Sequence, residues 1–378
     1  GPGGFGELAT GDFGFDDAAF NTVGPDNFDR PPDEDEFFVQ NPSDFLATAT
    51  QPLVIGTDGN DTISAGAGNA TLVGGDGDDT FIISNSFASG VTKTPIADLT
   101  AGTLTSGTSA TVSDDIFLQG DFLSLGISGA GSFGTAEDAP SGFVTSAARD
   151  NLGMQVDQDG FNTGSASTTG DFFLPGSPEE RWSIGFTENG TTQVTFSNAE
   201  RRSTTDITPS EHIDVSDGTK LRARWTGETT ATSSGNQIEV QQLVSFDADQ
   251  KFFRTDVLLT NTGSSAITDL RYMRSFDPDQ DREGTVTATF DTNNEVLGQV
   301  VTDSRALVVA QGPNSGVEFF FLATSGDAVV YSSGFSNPNP YSVGGTDFHS
   351  NPQPAGTDLG RVDQAIGIIF ERSSPLAP

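Results

Sequence analysis

Residues 56–82 repeat a pattern with a period of nine: GTDGNDTIS at 56–64, AGAGNATLV at 65–73 and GGDGDDTFI at 74–82. The eighth position of each segment is apolar and holds Ile63, Leu72 or Phe81. The positions before it are rich in glycine, which adopts the positive φ angles of tight turns at little cost. An apolar residue that returns at a fixed period after such turns predicts a short strand in each segment and a repeat fold.

The three segments resemble the RTX (repeats-in-toxin) calcium-binding nonapeptide family, whose pattern is G-G-x-G-x-D-x-U-x with U apolar. The third segment matches fully, the first departs only at Thr57, and the middle one has Ala65 and Ala70 in place of the first Gly and the Asp. The resemblance implies a parallel β-roll in which each nonapeptide is half a coil. The two good turns, at 56–61 and 74–79, are two nonapeptides apart, so they would stack on one side of the roll.

The resemblance also implies a set of ligands for Ca²⁺. One ion would lie between the two good turns, held by the carboxylates of Asp61 and Asp79 and by turn carbonyls, with Asp58, Asp76 and Asp78 alongside. Calcium takes six to eight oxygen ligands in flexible geometry, which suits such turns. The alternative is an acidic, glycine-rich loop that matches the pattern by composition alone.

The charge of the chain limits the classes of partner. Its 378 residues include 53 Asp and Glu against 17 Lys and Arg, for a net charge of −36. This charge repels phosphate backbones and anionic lipids, so we expect no nucleic-acid partner. No apolar run approaches the roughly 18 residues of a membrane-spanning helix, so we expect no membrane insertion. The charge attracts cations, although a halophile's solvation shell would also explain it.

The composition and the first residues bear on location. The chain has no cysteine, which excludes disulfides, thiolate zinc sites and a cysteine nucleophile, and its 45 glycines favour a β-protein with many turns. Because Ca²⁺ is millimolar outside cells, we expect a secreted, extracellular or cell-surface protein. The start GPGG indicates a processed product, a fragment or a cloning scar, and the export route cannot be read from the chain.

Residues 1–50 predict an acidic, phenylalanine-containing arm. They hold eleven acidic side chains, one basic side chain (Arg30) and eight of the thirty phenylalanines. The acidic cluster at 33–36 has neither a helical nor a strand period, which favours disorder. Phenylalanines among Gly and Asp, such as Phe5 and Phe13, could instead anchor the arm on another surface of this chain or of a neighbour. A flexible arm and a docking arm both remain open.

The remaining chain predicts an all-β fold, a large β-sandwich with a short RTX-like parallel β-roll near its N-terminus. We assign 51–87 to the roll, which has too few coils to bury a core alone and should extend a larger fold, and 88–378 to the sandwich. Short β-branched or aromatic segments separated by turn signals predict its strands. These segments are 116–118, 172–174, 182–186, 194–196, 221–225, 238–246, 252–259, 286–290, 306–310, 317–322 and 366–370.

An alternating carboxylate ladder follows one of these strands. Asp277, Asp279, Asp281 and Glu283 occupy every second position, and alternation of this kind lets a loop turn several carboxylates onto one ion. It is not an EF-hand, since Arg282 stands where that loop needs glycine. The ladder predicts a non-helical calcium loop, a solvated hairpin tip or part of a catalytic acid pair.

No signature of an enzyme is present in the sequence. The chain lacks a G-x-S-x-G elbow, an HExxH motif and a phosphate loop, and both histidines, His212 and His349, fit turns or strand edges better than a general base. We therefore expect no catalytic residues and no enzymatic activity. Four aromatic residues could stack on sugar rings, although core packing is the simpler role for both tryptophans: Trp182, Trp225, Tyr331 and Tyr341.

These observations predict an extracellular calcium-binding structural protein, a subunit of a surface layer, matrix or filament that folds and assembles with Ca²⁺. The N-terminal arm would dock on a neighbouring subunit and give a homo-oligomer or polymer. An adhesin module that binds a glycan or peptide ligand is the first alternative. A carbohydrate-active enzyme is the second, because its two carboxylates need no local signature.

Overall fold

The computed structural model describes part of the chain. Before residue 107 it describes the backbone of five short strands. Beyond that point it covers most of the chain with gaps. The described residues are 4–9, 53–55, 62–65, 71–73, 80–83, 107–157, 160–161, 170–175, 179–279, 281–283, 294–302, 305–323, 327–333, 338–342, 360–372 and 374–378.

The described elements are strands, apart from one 3-10 turn at Glu200–Arg202. The all-β class predicted from the sequence is therefore confirmed. In chain order the strands are β1 Gly4–Ala9, β2 Leu53–Ile55, β3 Thr62–Ala65, β4 Thr71–Val73, β5 Thr80–Ile83, β6 Thr108–Val112, β7 Asp115–Gln119, β8 Leu123–Ile127, β9 Met154–Val156, β10 Glu180–Glu188, β11 Thr192–Ala199, β12 Thr204–Thr205, β13 Pro209–Asp214, β14 Lys220–Glu228, β15 Ile238–Asp247, β16 Phe252–Asn261, β17 Thr268–Phe276, β18 Asn294–Thr302, β19 Arg305–Gln311, β20 Glu318–Ala323, β21 Ala328–Ser333, β22 Gly360–Val362 and β23 Ala365–Arg372.

The chain divides into two compact units, one of residues 1–4 and 23–104 and one of residues 5–22 and 105–378. The described residues 5–9 of the predicted arm thus belong to the second unit. The predicted boundaries near 50 and 87 stay predictions.

The first unit contains two parallel strand pairs at a regular offset. Strand β2 pairs with β4, with Leu53 opposite Thr71, and β3 pairs with β5, with Thr62 opposite Thr80. Both offsets equal two nonapeptides, the spacing expected if each nonapeptide is half a coil. The turns between these strands lie outside the described residues, so the β-roll itself stays a prediction.

The second unit is built on two large sheets and one small sheet. One sheet has the order β13-β14-β15-β16-β1-β20-β19-β18-β22, and the other has the order β12-β11-β10-β17-β23-β21. Strand β1 is parallel to β16, with Gly6 opposite Phe252, whereas the pairings from β6 onward are antiparallel. The small sheet, β6-β7-β8-β9, is a meander.

The two large sheets face each other across one apolar core. Trp182 of β10 meets Trp225 of β14 edge-on, with ring centroids 5.1 Å apart, and Phe276 of β17 meets Phe319 of β20 at 4.4 Å. Buried and partly exposed residues alternate along β14 and β16, as expected of strands with one core-facing side. The described part of the second unit is therefore a β-sandwich in which aromatic side chains pack between the two large sheets.

A buried ion pair, Arg274 with Glu180, forms hydrogen bonds that link all three sheets. Arg274 of β17 donates from Nε to Glu180 Oε1 at 2.9 Å and from Nη1 to Gln242 Oε1 of β15 at 3.1 Å. The backbone N–H of Phe133, which follows the small sheet's strand β8, donates to Glu180 Oε2 at 2.6 Å, and the Phe133 ring lies 4.5 Å from the guanidinium carbon of Arg274. Both charged groups are about 2% exposed, and their hydrogen bonds replace the water that burial removes.

One predicted strand is wrong. Residues 172–174 form a bend, because the fully buried carboxylate of Asp171 accepts the N–H groups of Phe173 and Leu174 at 2.9 and 3.0 Å. The same carboxylate accepts from Gly153 and Met154 next to β9. These bonds take up the N–H groups that a strand would offer to a neighbour. Segment 286–290 lies outside the described residues.

Candidate metal centre

The repeat carboxylates lie outside the described residues, but the strands that follow them are placed. Asp61 immediately precedes Thr62, Asp79 immediately precedes Thr80, and these two threonines are register partners in the β3–β5 pair. The metal role of Asp58, Asp61, Asp76, Asp78 and Asp79 stays a prediction.

A second group of carboxylates is gathered inside the sandwich unit. Asp277 and Asp279 follow β17, and Asp363 lies in the short connection between β22 and β23. The pairing of β17 with β23 places Phe276 opposite Ile366, which brings the end of one strand to the beginning of the other. One carboxylate oxygen from each of the three aspartates lies within 4.8 Å of the others.

Two of the three carboxylates are buried and incompletely bonded. Asp277 is 5% exposed and Asp279 is 2% exposed, and Oδ1 of each has no hydrogen-bond partner among the described residues. Asp363 is exposed and forms the side of the cluster that faces solvent. Backbone bonds fix the loop: Asp277 N donates to Glu179 O at 3.0 Å, and Asp279 N donates to Phe172 O at 3.5 Å.

The other two members of the ladder serve as anchors. Asp281 accepts the N–H groups of Asn314 and Ser315, at 2.6 and 3.1 Å, in the loop between β19 and β20. Glu283 accepts from Arg149 Nε at 3.0 Å and from Ser146 Oγ at 3.1 Å, and Arg149 Nη2 also donates to it. Their carboxylates are therefore engaged with the surrounding loops, and their role as metal ligands stays a prediction.

The electrostatics of the cluster favour a positive counter-charge. Burial, and then the charges of Asp363 and Glu179, raise the pKa of Asp277 to about 7, against the opposing effect of Arg202. Burial, and then the charges of Asp277 and Asp363, raise the pKa of Asp279 to about 8. Two like charges in a poorly solvated site are costly unless a proton or a cation is bound.

Sequence reasoning found two members of this cluster and missed the third. The ladder pointed to Asp277 and Asp279, but Asp363 stands alone in the segment RVDQAIG and has no alternating acidic neighbours. Only the pairing of β17 with β23 brings it to the site. No pattern in the sequence around Asp363 indicates that it joins the cluster.

The aromatic candidates for sugar stacking are in the core. Trp182 and Trp225 are at most 2% exposed, and their Nε1 groups donate to the carbonyls of Ala130 and Gly129, both at 3.0 Å. Tyr331 is 1% exposed. Tyr341 is half-buried; its hydroxyl donates to Asp269 O at 2.7 Å, and Arg271 lies over its ring. Stacking on a glycan by Trp182, Trp225 or Tyr331 is therefore excluded by burial, as the core-packing interpretation of the tryptophans expected.

The histidines do not form a metal site or an acid–base pair in the part of the chain with described side chains. His212 Nδ1 donates to Asp114 O at 2.7 Å, and burial lowers the pKa of its imidazole. His349 lies outside the described residues.

Comparison with known proteins bears on the repeat segment. Residues 54–82 match the family described as the RTX calcium-binding nonapeptide repeat (4 copies). A search of curated proteins and a search of solved structures found no match. Among the described residues, no helix is long and apolar enough to cross a membrane. RTX repeats bind calcium and are typical of secreted proteins, and segment 54–82 of the chain is such a repeat segment.

Proposed function

We propose that the protein is an extracellular calcium-binding structural subunit of a surface layer, matrix or filament, and that it folds and assembles with Ca²⁺. The observation that carries the proposal is the RTX segment at 54–82, whose strands pair in parallel at offsets of two nonapeptides. That register brings the residues after Asp61 and Asp79 side by side, as a calcium ion shared by stacked turns requires.

Calcium would act by neutralising stacked aspartates. Strands of three or four residues bury little apolar surface, so repeats of this kind need the binding energy of the ion to stay folded. A ligand that binds only the folded state stabilises it by mass action. The repeats would be loose where calcium is scarce and folded where calcium is millimolar.

The place of β1 supports assembly through the N-terminal arm. In the large sheet β1 lies between β16 and β20, and without it two groups of four strands would each end in an open edge. An open strand edge is a site where a strand of another chain can add. Residues 10–106 lie between β1 and the other strands of its unit, and the advantage of an intramolecular strand falls as the connecting chain lengthens. We propose that a neighbouring subunit supplies this strand in the assembly.

The test is the mass of the full chain in solution, followed during a calcium titration. We expect Ca²⁺ to produce oligomers or polymers and a chelator to reverse them. Deletion of residues 1–22 should prevent assembly, and a synthetic peptide of residues 1–22 should bind the truncated chain, whereas a scrambled peptide should not. A full chain that stays monomeric with and without calcium would contradict the proposal. Assembly that persists without residues 1–22 would contradict the role of the arm.

The proposal assigns the protein no enzymatic activity. The matching experiment is a panel of glycan substrates incubated with the calcium-loaded chain. Hydrolysis that disappears when one pair of carboxylates is changed to amides, at unchanged thermal stability, would overturn this part of the proposal.

A further inference from the structure

We infer that Asp277, Asp279 and Asp363 together bind one hard divalent cation, Ca²⁺ in the protein's working state, at the point where the chain crosses from one large sheet to the other. The choice of Ca²⁺ over other hard cations rests on the proposed function. The site itself rests on the side chains of the sandwich and is independent of the repeats.

The first argument is the state of the buried oxygens. Asp277 and Asp279 are at least nine-tenths buried, and Oδ1 of each lacks a hydrogen-bond donor among the described residues. Buried polar atoms in folded proteins are paired in nearly every case, and an unpaired carboxylate oxygen is among the most costly exceptions. A metal ion held by the cluster would satisfy both carboxylates at once.

The second argument is the geometry and chemistry of the donors. Three oxygens within 4.8 Å of one another lie no more than about 2.8 Å from a common point, close to the ligand distances of about 2.3–2.6 Å that calcium takes. The three side chains are carboxylates, with no imidazole among them, and the chain has no cysteine. Such a donor set selects hard cations over zinc or copper. Solvent can reach the exposed Asp363, which leaves room for the water ligands that calcium also takes.

The third argument is that the loop is built to hold its shape. At its far end, the Asp281 carboxylate accepts a backbone N–H group of the β19–β20 loop, and the Glu283 carboxylate accepts a hydrogen bond from Arg149. Its near end is fixed by the backbone bond from Asp277 to Glu179 and by the end of β17. Because both ends are anchored elsewhere, Asp277 and Asp279 cannot move apart easily to relieve their repulsion. A bound cation would also join β17 to the connection between β22 and β23.

The experiment measures bound calcium per chain by equilibrium dialysis of the full, chelator-stripped protein, with Mg²⁺ as a second ion. Three double variants are compared with the wild type. Asp277→Asn with Asp279→Asn tests the sandwich site, and Asp61→Asn with Asp79→Asn tests the repeat site. Asp247→Asn with Asp249→Asn is the matched control, because it makes the same charge change at another Asp-x-Asp turn.

We expect the variant at 277 and 279 to bind one ion fewer than the wild type and the control to bind as many. Without calcium, the same variant should melt at a higher temperature than the wild type, since the amides remove the repulsion, and calcium should no longer shift its sandwich transition. If the two aspartates bound no ion, the substitutions would still raise the melting temperature in the absence of calcium. They would then leave the effect of calcium on the sandwich transition unchanged.

Unchanged calcium stoichiometry and an unchanged calcium-dependent shift in the variant at 277 and 279 would overturn the inference. Should that variant fail to fold, Asp363→Asn on the exposed connection is the substitute, with an expected loss of at least tenfold in affinity at this site. Unchanged affinity there would likewise overturn it. Loss of an ion in the variant at 61 and 79 reports on the repeats alone, so the two proposals can fail separately. Binding of Mg²⁺ in preference to Ca²⁺ would overturn the assignment of the ion.

Discussion

The repeat segment and the sandwich differ in how the sequence relates their acidic residues. In the repeats, Asp61 and Asp79 are related by the period of the sequence, and their neighbours Thr62 and Thr80 are strand partners two nonapeptides apart. In the sandwich, Asp277 and Asp279 meet Asp363 only because β17 pairs with β23. A local repeat lets the sequence predict every member of an ion site, whereas a member that arrives by long-range strand pairing, such as Asp363, cannot be predicted from its neighbours in the chain.

The two regions also differ in what holds them together. The described repeat strands are three or four residues long and pair in twos, so they have little apolar surface to bury. The sandwich has a large apolar core that includes many aromatic side chains, and a buried ion pair of Glu180 with Arg274. We therefore expect calcium to decide whether the repeats fold and to adjust, without deciding, the stability of the sandwich.

The largest effect should come from breaking the buried ion pair of the sandwich. Arg274→Ala leaves Glu180 buried without its partner, and breaking such a pair costs about 3–5 kcal/mol. Chemical denaturation should show this loss in the unfolding free energy of the sandwich at any calcium concentration. The matched control is Arg224→Ala, whose partner Glu211 is exposed, with an expected loss of about 1 kcal/mol or less. Equal losses in the two variants would contradict the contrast between the regions.

The next effect is a pH dependence that belongs to the sandwich and not to the repeats. Burial raises the pKa of Asp171 to about 6, above its ordinary value of 3.8, so the folded state binds this proton more tightly than the unfolded state. The stability from this group is fully present at about pH 3, below the unfolded pKa, and is lost as pH rises through the folded pKa to about pH 7. The difference in unfolding free energy between the wild type and Asp171→Asn should fall by roughly 3 kcal/mol over that range. A difference that is flat with pH would contradict the raised pKa of this buried carboxyl group.

A somewhat smaller effect should separate the repeats from the sandwich. At a calcium concentration about 100 times the dissociation constant, binding stabilises the folded repeats by about 2.7 kcal/mol. Asp61→Ala with Asp79→Ala should remove this calcium-dependent stabilisation from the first of two thermal transitions, followed by calorimetry in calcium and in chelator. The sandwich transition should stay where it was. A single transition that shifts as a whole in this variant would show that the two regions unfold together.

The smallest effect concerns a turn that carries no ion. Gly190 closes the β10–β11 hairpin at φ +72°, and an added Cβ would meet nothing within 4 Å, so Gly190→Ala tests backbone strain alone. The expected cost is about 1 kcal/mol, with calcium binding unchanged. Gly77→Ala, at a predicted calcium turn, should weaken calcium binding as well. Equal behaviour of the two variants toward calcium would remove the distinction between structural turns and ion-binding turns.

Much of the sandwich could be predicted from the sequence, because strand patterns are local. The strands β10, β14, β15, β16 and β23 contain the segments predicted for them, and Asn189-Gly190, a typical turn pair, lies between β10 and β11. The exception at 172–174 has a specific cause. The Asp171 carboxylate accepts hydrogen bonds from the backbone N–H groups of an apolar segment that would otherwise suit a strand. The residues of that segment do not indicate that their N–H groups will bond to a side chain instead of a neighbouring strand.

Two of the three members of the candidate site could be predicted from the sequence. Alternation identified Asp277 and Asp279, but the same alternation included Asp281 and Glu283, whose partners Asn314, Ser315 and Arg149 come from distant loops. A ladder of carboxylates in the sequence cannot tell which members turn inward. That outcome depends on which backbone amides and guanidinium groups the fold brings beside each one.

The sequence by itself determined the β class of the chain and the period of nine, because turns and short strands follow from residues close together in the chain. The resemblance to RTX repeats implied the offset of two nonapeptides at which the repeat strands pair. Only the tertiary structure decided which carboxylates meet in the sandwich, that both tryptophans are buried, and that β1 lies between β16 and β20. These features arise from pairing and packing between residues far apart in the chain. Their free energy depends on desolvation and on neighbours that no local pattern specifies.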